Sequence, residues 1–181
     1  ERAIKRGTGA DGDGREYEEL VYEGYAPGGV AVMVTCLTDN RSRTAPDIKY
    51  IFDRNDGNLG SPGSVAFMFD FRSLFVAERE DRDEEALMEI GLEAGADDVE
   101  LDGEFVAIQA APTDFIQVKE ALEAAGLKLV SAETGYVPQN TVQVTEEKEA
   151  KRIIRLIDAL DDNDDVQNVY ANYDIPEEWM E

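Results

Sequence analysis

Two helix ends in this chain are near-copies of each other: "LEAGA" (Leu92–Ala96) and "LEAAGL" (Leu122–Leu127). Each closes an amphipathic stretch with a glycine, which suits the left-handed turn after a helix. Between them, "DG" (Asp102–Gly103) separates two short apolar runs, Val99–Leu101 and Phe105–Ile108, a strong hairpin signal. A strand at Leu74–Ala77 precedes a helix from Asp83 to Ala94 with Leu87, Ile90 and Ala94 inward. A second helix starts at Thr113 with Phe115, Val118, Leu122 and Ala125 inward. A strand from about Lys128 to Val137 closes the unit. The segment reads β-α-β-β-α-β, a ferredoxin-like half-repeat.

The flanking segments fit a second such module, interrupted by the first. "YEELVYEGY" (Tyr17–Tyr25) is strand-like and "APGG" turns the chain. "VAVMVTCL" (Val30–Leu37) is short enough for a buried strand. A helix is expected from about Thr44 to Asn55, with Pro46 in its first turn and Ile48, Ile51 and Phe52 as one stripe. "SVAFMF" (Ser64–Phe69) reads as another strand. That run stops one α-β unit short. A helix from near Thr145, with Ala150, Ile153, Ile154, Ile157 and Leu160 as its core stripe, and a strand at Val166–Tyr173 supply the missing pair. The expected fold class is therefore α+β: two ferredoxin-like α/β modules, the second inserted into the first. The expected boundaries are 17–70 plus 142–175 for the outer domain, 71–141 for the insert, and 176–181 as a tail.

"ERAIKRG" (Glu1–Gly7) reads as the last turn of a helix, with Arg2, Lys5 and Arg6 near its C-terminus. Residues 1–16 are therefore expected to be the remnant of a preceding helical domain and a linker. No basic-then-apolar leader and no membrane-spanning run is visible, so a cytoplasmic protein without a membrane partner is expected. The single cysteine, Cys36, sits in an apolar run and is expected in the core.

Charge narrows the function. The chain has 41 acidic and 17 basic residues, a net charge of −24. Taken whole it is a poor match for a polyanion, because phosphate binding needs Lys and Arg to displace counterions. The stretch Asp39–Arg72 is the exception. Its five basic residues (Arg41, Arg43, Lys49, Arg54, Arg72) balance five acids, and the remainder holds the entire net charge. Asn40, Arg41 and Arg43 lie in a polar loop before the expected helix, an anion-friendly corner. Lys49 and Arg54 lie off its apolar stripe. These five, Asn40, Arg41, Arg43, Lys49 and Arg54, are the candidate nucleic-acid-binding residues. The alternative for the arginines is pairing with local acids such as Asp39 and Asp47.

Other motifs carry less. "GTGADG" (Gly7–Gly12) matches a dinucleotide loop in letters but follows a helix end rather than a strand, and Asp11 and Asp13 would repel a pyrophosphate. "DGDG" and "DDNDD" lack the glycine and glutamate that a calcium loop requires at its sixth and twelfth positions. There is no histidine, which removes Ser-His-Asp and Cys-His catalysis and every His-ligated metal. No catalytic residue, metal, cofactor or small-molecule substrate is expected.

Several stretches together carry a resemblance. "YEGYAPGGVAVMV" (Tyr22–Val34), "DNRSRT" (Asp39–Thr44), "GNLGSPGSVAFMF" (Gly57–Phe69), "EAGADDV" (Glu93–Val99), "ALEAAGL" (Ala121–Leu127) and "LIDALDDNDDVQNVYANYDI" (Leu156–Ile175) resemble the YebC/PmpR family. Its relatives include the mitochondrial translational activator of cytochrome oxidase subunit I. The resemblance implies three domains: a basic helical N-terminal domain, here missing but for its last turn, and two α/β domains, the third inserted in the second. It implies a non-enzymatic, DNA-binding transcriptional regulator that touches nucleic acid mainly through the missing domain. An alternative is a ribosome-associated translation factor that contacts ribosomal RNA and relieves stalling at proline-rich stretches. A third is an adaptor that binds proteins through its acidic surface.

Overall fold

The structure is a computed structural model, and it describes residues 16–180. The readings made on residues 1–15 lie outside the described residues. In chain order the elements are β1 (Glu18–Ala26), β2 (Val30–Thr38), α1 (Arg41–Arg54), β3 (Asn58–Leu59), β4 (Phe69–Glu78), α2 (Glu84–Ala94), β5 (Asp98–Asp102), β6 (Phe105–Ala110), α3 (Phe115–Ala124), β7 (Leu129–Pro138), β8 (Val142–Gln143), α4 (Glu147–Asp161), β9 (Val166–Ala171) and β10 (Tyr173–Asp174). The fold is α+β, with one α/β unit inserted in another. Two compact units result: Glu1–Phe69 with Pro138–Glu181, and Asp70–Val137.

The first unit is a four-stranded sheet in the order β3-β1-β2-β9, with β8 and β10 forming a short parallel pair beside it. β2 runs antiparallel to both β1 and β9. Val30, Val32, Val34 and Cys36 alternate along one face of β2 and are buried against Ile48 and Phe52 of α1 and Ala150, Ile153, Leu156 and Leu160 of α4. The two helices therefore share that face. Cys36 is a buried free thiol, as its apolar run predicts. Gly24 lets β3 and α1 close on β1: a Cβ there would meet Asn58 O at 2.6 Å and the Phe52 ring at 2.7 Å.

The second unit has the strand order β5-β6-β4-β7, with β6 antiparallel to both β4 and β5. Phe75, Ala77, Val106 and Ile108 on the sheet pack against Leu87 and Ala94 of α2 and Val118 and Leu122 of α3. Asp83 caps α2 by accepting the Ala86 N–H at 2.8 Å, and Gly95 ends it in the left-handed region at φ 102. Ala125, expected on the inner face of α3, is exposed beyond its end.

Two local readings are corrected. "SVAFMF" is not a strand. The Glu23 carboxylate accepts the backbone N–H groups of Gly63 (2.7 Å), Val65 (2.9 Å) and Ala66 (2.7 Å), which a strand would have spent on a ladder. Ala66–Met68 is a 3-10 turn, and β4 starts only at Phe69. The sheet takes β3 as its edge strand instead. Burial pushes the Glu23 carboxyl up, but the three amide donors outweigh it and hold it below the usual carboxylate range. The second correction is that α1 begins at Arg41 rather than Thr44, so Pro46 is its sixth residue and not in the first turn. The earlier start follows from Asn40, which caps the helix.

Candidate nucleic-acid interface

Asn40 is the N-cap of α1: its Oδ1 accepts the Arg43 N–H at 3.2 Å, while its own N–H donates to Thr38 Oγ1 at 3.0 Å. Asn40 is thus spent on the helix start, and Arg41 and Arg43 sit in the first turn rather than in a loop. Arg41 is exposed and pairs with Glu18 at 3.4 Å. It also borders an apolar groove of about 400 Å³ lined by Leu20, Tyr22, Ala45, Leu59 and Pro62.

Arg43 belongs to a buried-edge network. Its guanidinium donates to both oxygens of Asp165 at 3.0 Å and lies 3.5 Å from Asp39. The bond and charge of Asp165 hold the Arg43 pKa above its ordinary value. Thr44, fully buried, lies 2.8 Å from Asp165 Oδ2 and 2.8 Å from Thr38 Oγ1. A carboxylate only accepts, so the Thr44 hydroxyl donates to Asp165 and accepts from Thr38. The Leu37 N–H closes the network on Asp165 O at 2.8 Å. Four residues of the N-terminal turn of α1 and the end of β2 are thereby tied to the loop before β9. Of the partners considered for Arg43, Asp39 is present and Asp47 is not. Asp165, 122 residues away, was not legible in the local sequence.

Lys49 and Arg54 face solvent, as their places off the apolar stripe predict. Lys49 pairs with Asp53 at 2.8 Å, one turn on. Arg54 lies 5.7 Å from the centre of the exposed Tyr50 ring, a cation–π distance. The 14 residues of α1 span roughly 20 Å, so the five candidates do not gather at one point. Asn40, Arg41 and Arg43 sit at its N-terminal end, Lys49 is central, and Arg54 is at the C-terminal end. Arg72, the fifth cation of the balanced stretch, lies in the second unit and pairs with Asp97.

A second set of cations went unread in the sequence. Lys148, Lys151, Arg152 and Arg155 follow the spacing i, i+3, i+4, i+7 on α4, complementary to its apolar stripe. Lys151 pairs with Glu147 at 3.3 Å and Arg152 with Asp56 at 3.2 Å. Counting net charge over the long C-terminal remainder averaged this stripe away, although "EKEAKRIIR" displays it.

Among the described residues, no three Cys, Asp or Glu side chains come together as a metal-holding group, and no helix is long and apolar enough to cross a membrane.

A family model described as "TACO1/YebC second and third domain" matches residues 17–173. A "probable transcriptional regulatory protein" of Desulforapulum autotrophicum is 53% identical over 178 residues, covering 98% of this chain and 71% of the relative. A protein of the same description from Rubrobacter xylanophilus is 52% identical over 180 residues, covering 99% of this chain and 72% of the relative. Among solved structures, a conserved hypothetical protein from Aquifex aeolicus superposes with a TM-score of 0.86 at 43% identity, covering 97% of this chain and 72% of that one.

Proposed function

Because the chain belongs to the TACO1/YebC family, over the second and third domains of its model, we propose that it serves as a non-enzymatic, DNA-binding transcriptional regulator in the cytoplasm. The observation that carries this reading is the match across residues 17–173, together with relatives at about half identity that are named probable transcriptional regulatory proteins. The surface chemistry is compatible with a nucleic-acid partner on the outer side of the first unit's helices. Arg41, Lys49 and Arg54 project from α1 toward solvent; Arg41 pairs with Glu18 and Lys49 with Asp53, which leaves Arg54 as the candidate cation without an acidic partner. Asn40 and Arg43 act one step back, by setting where α1 starts. No long basic recognition helix is present among the described residues, so this part of the protein positions on backbone phosphates rather than reading bases.

The test is crosslinking in cells followed by recovery of bound nucleic acid. Enrichment of DNA fragments at promoters is the expected result. Recovery of ribosomal RNA alone, with co-sedimentation of the protein with ribosomal subunits, would replace this reading by the translational one. Recovery of neither would remove nucleic acid from the account.

A further inference from the structure

Among the described residues of the first unit, the uncommitted positive charge lies mainly on α4, outside the charge-balanced stretch. Arg41, Arg43 and Lys49 are each paired with an acid. Among the described residues of the first unit, Arg54, Lys148 and Arg155 have no acidic partner. Two contacts fix how α1 and α4 run. Arg43 at the start of α1 meets Asp165 just beyond the end of α4, and Asp56 just beyond α1 meets Arg152 in the first half of α4. The helices are therefore antiparallel. The end of α1 that carries Tyr50 and Arg54 lies beside the N-terminal half of α4, which carries Lys148, Lys151 and Arg152, with Arg155 just past its middle. The acids Asp158 and Asp161 sit toward the opposite end of α4. Of the acids at the basic end, Glu147 and Asp56 are matched by Lys151 and Arg152, Glu149 turns its carboxylate to Gly28, and Glu146 stands at the N-cap of α4.

Helix stability does not account for this arrangement. Lys148 is the second residue of α4, where the partial positive charge of the helix N-terminus repels a cation. A residue placed against the dipole, exposed and unpaired, is placed for something outside the helix.

We propose that Lys148, Lys151, Arg152 and Arg155 of α4, with Arg54 of α1, form a binding surface for the phosphate backbone of duplex DNA. The stripe from Lys148 to Arg155 is about 10 Å long at the helical rise, enough to follow adjacent phosphates of one strand. A single-stranded ligand would call for a row of stacking aromatics. The two helices expose only Tyr50, and Arg54 already lies over its ring. The acids of the rest of the chain do not forbid the contact, because salt screens exposed charges beyond roughly 8–10 Å. This surface rests on the nucleic-acid reading above and gives it a location.

The experiment compares the wild-type chain with Lys148→Gln/Arg155→Gln and with a charge-matched control, Lys119→Gln/Lys128→Gln, in the second unit. Binding to a short labelled DNA duplex and to the same sequence as duplex RNA is titrated between about 50 and 200 mM salt, with melting measured alongside. The α4 variant is expected to lose about 2 from the slope of log affinity against log salt, one per phosphate contact, without a fall in melting temperature. The control keeps the wild-type slope. Lys148→Gln alone, expected to lose about 1, keeps the comparison open if the pair misfolds. Equal slope loss in the α4 variant and the control overturns the surface and leaves the DNA reading standing. Absence of wild-type duplex DNA binding at the lowest salt, or binding to RNA only, overturns the surface, while the DNA reading itself stands or falls on the crosslinking in cells.

Discussion

The two units place a pair of helices over a four-stranded sheet, and each helix pair carries six carboxylates. On α1 and α4 those six face eight cations; on α2 and α3 they face one, Lys119. Over whole units the contrast persists in weaker form: 12 basic against 23 acidic residues in the first, 5 against 18 in the second. The apolar surface differs as well. Met88, Leu92 and Ile116 stand exposed on α2 and α3, whereas α1 and α4 expose only Tyr50 among the large hydrophobics. Similar layering buries similar stripes, so the inner faces are alike because each must close a core. Nothing in the layering dictates the outer faces, and it is there that the units part and that function is to be sought.

If the inner faces are equivalent, truncating either core should cost alike. Phe52→Ala removes a fully buried ring from the first unit, and Leu122→Ala a fully buried side chain from the second. Expected losses are about 3–5 and about 2–5 kcal/mol. Hydrogen exchange reads where protection falls: Phe52→Ala should expose amides of β1, β2 and α4, and Leu122→Ala those of β4, β6 and α2. Loss spread evenly through both units by either variant would break the comparison and make the chain one cooperative block.

The first unit also holds a buried carboxylate with no counterpart among the described residues of the second. Glu23→Gln keeps the shape but loses charge-assisted bonds to three amides, an expected cost of about 1–3 kcal/mol. The Glu23 pKa is depressed in the fold, so its contribution is present above the unfolded value and is lost as pH falls through the lower, folded value. Wild-type stability should therefore decline across that acidic window more steeply than the variant's. Parallel pH profiles would show that the clasp is not what holds residues 63–66.

Buried hydroxyls allow a finer comparison. Thr44→Val strips the bridge between Thr38 and Asp165 and leaves two polar groups short, for about 1–2 kcal/mol. Ser73→Ala in the second unit removes one bond to Ala111 O at 2.9 Å, for about 1 kcal/mol. Denaturant midpoints at unchanged slope decide it; a costlier Ser73→Ala would mean that the Thr44 network is slack.

What the sequence made legible follows a physical division. Local periodicity identified α1 by Ile48 and Phe52, α2 by Leu87 and Ala94, and the Asp102–Gly103 hairpin, because each is written within a few turns of chain. The insertion was legible because the first run stopped short of its last helix and strand. Interactions across long separations were not. Glu23 reaching Gly63, Val65 and Ala66 turned a strand-like apolar run into a clasped loop, and Asp165 reaching Arg43 converted a free loop arginine into a structural tie. Of the candidate site, Lys49 and Arg54 face solvent as read, while the α4 stripe was hidden by summing charge over a long segment instead of reading it at helical spacing.

Lys148 offers the smallest effect and the sharpest sign. It is the second residue of α4, flanked by Glu147 and Glu149, and it faces the positive end of the helix dipole. Lys148→Glu reverses that charge. It also places an acid three and four residues before Lys151 and Arg152, a favourable pairing on a helix. Stability should therefore rise by about 0.3–1 kcal/mol, while duplex DNA binding falls. The mirror variant is Glu85→Lys, at the second position of α2, where the first turn is acidic as a dipole prefers. It should lower stability by a similar amount and leave binding unchanged, because the second unit's helix pair has no stripe to extend. Melting and DNA titration on the two variants give four signs. A fall in both melting and binding for Lys148→Glu would make the α4 stripe part of the scaffold, and the difference between the two helix pairs would then be one of stability alone.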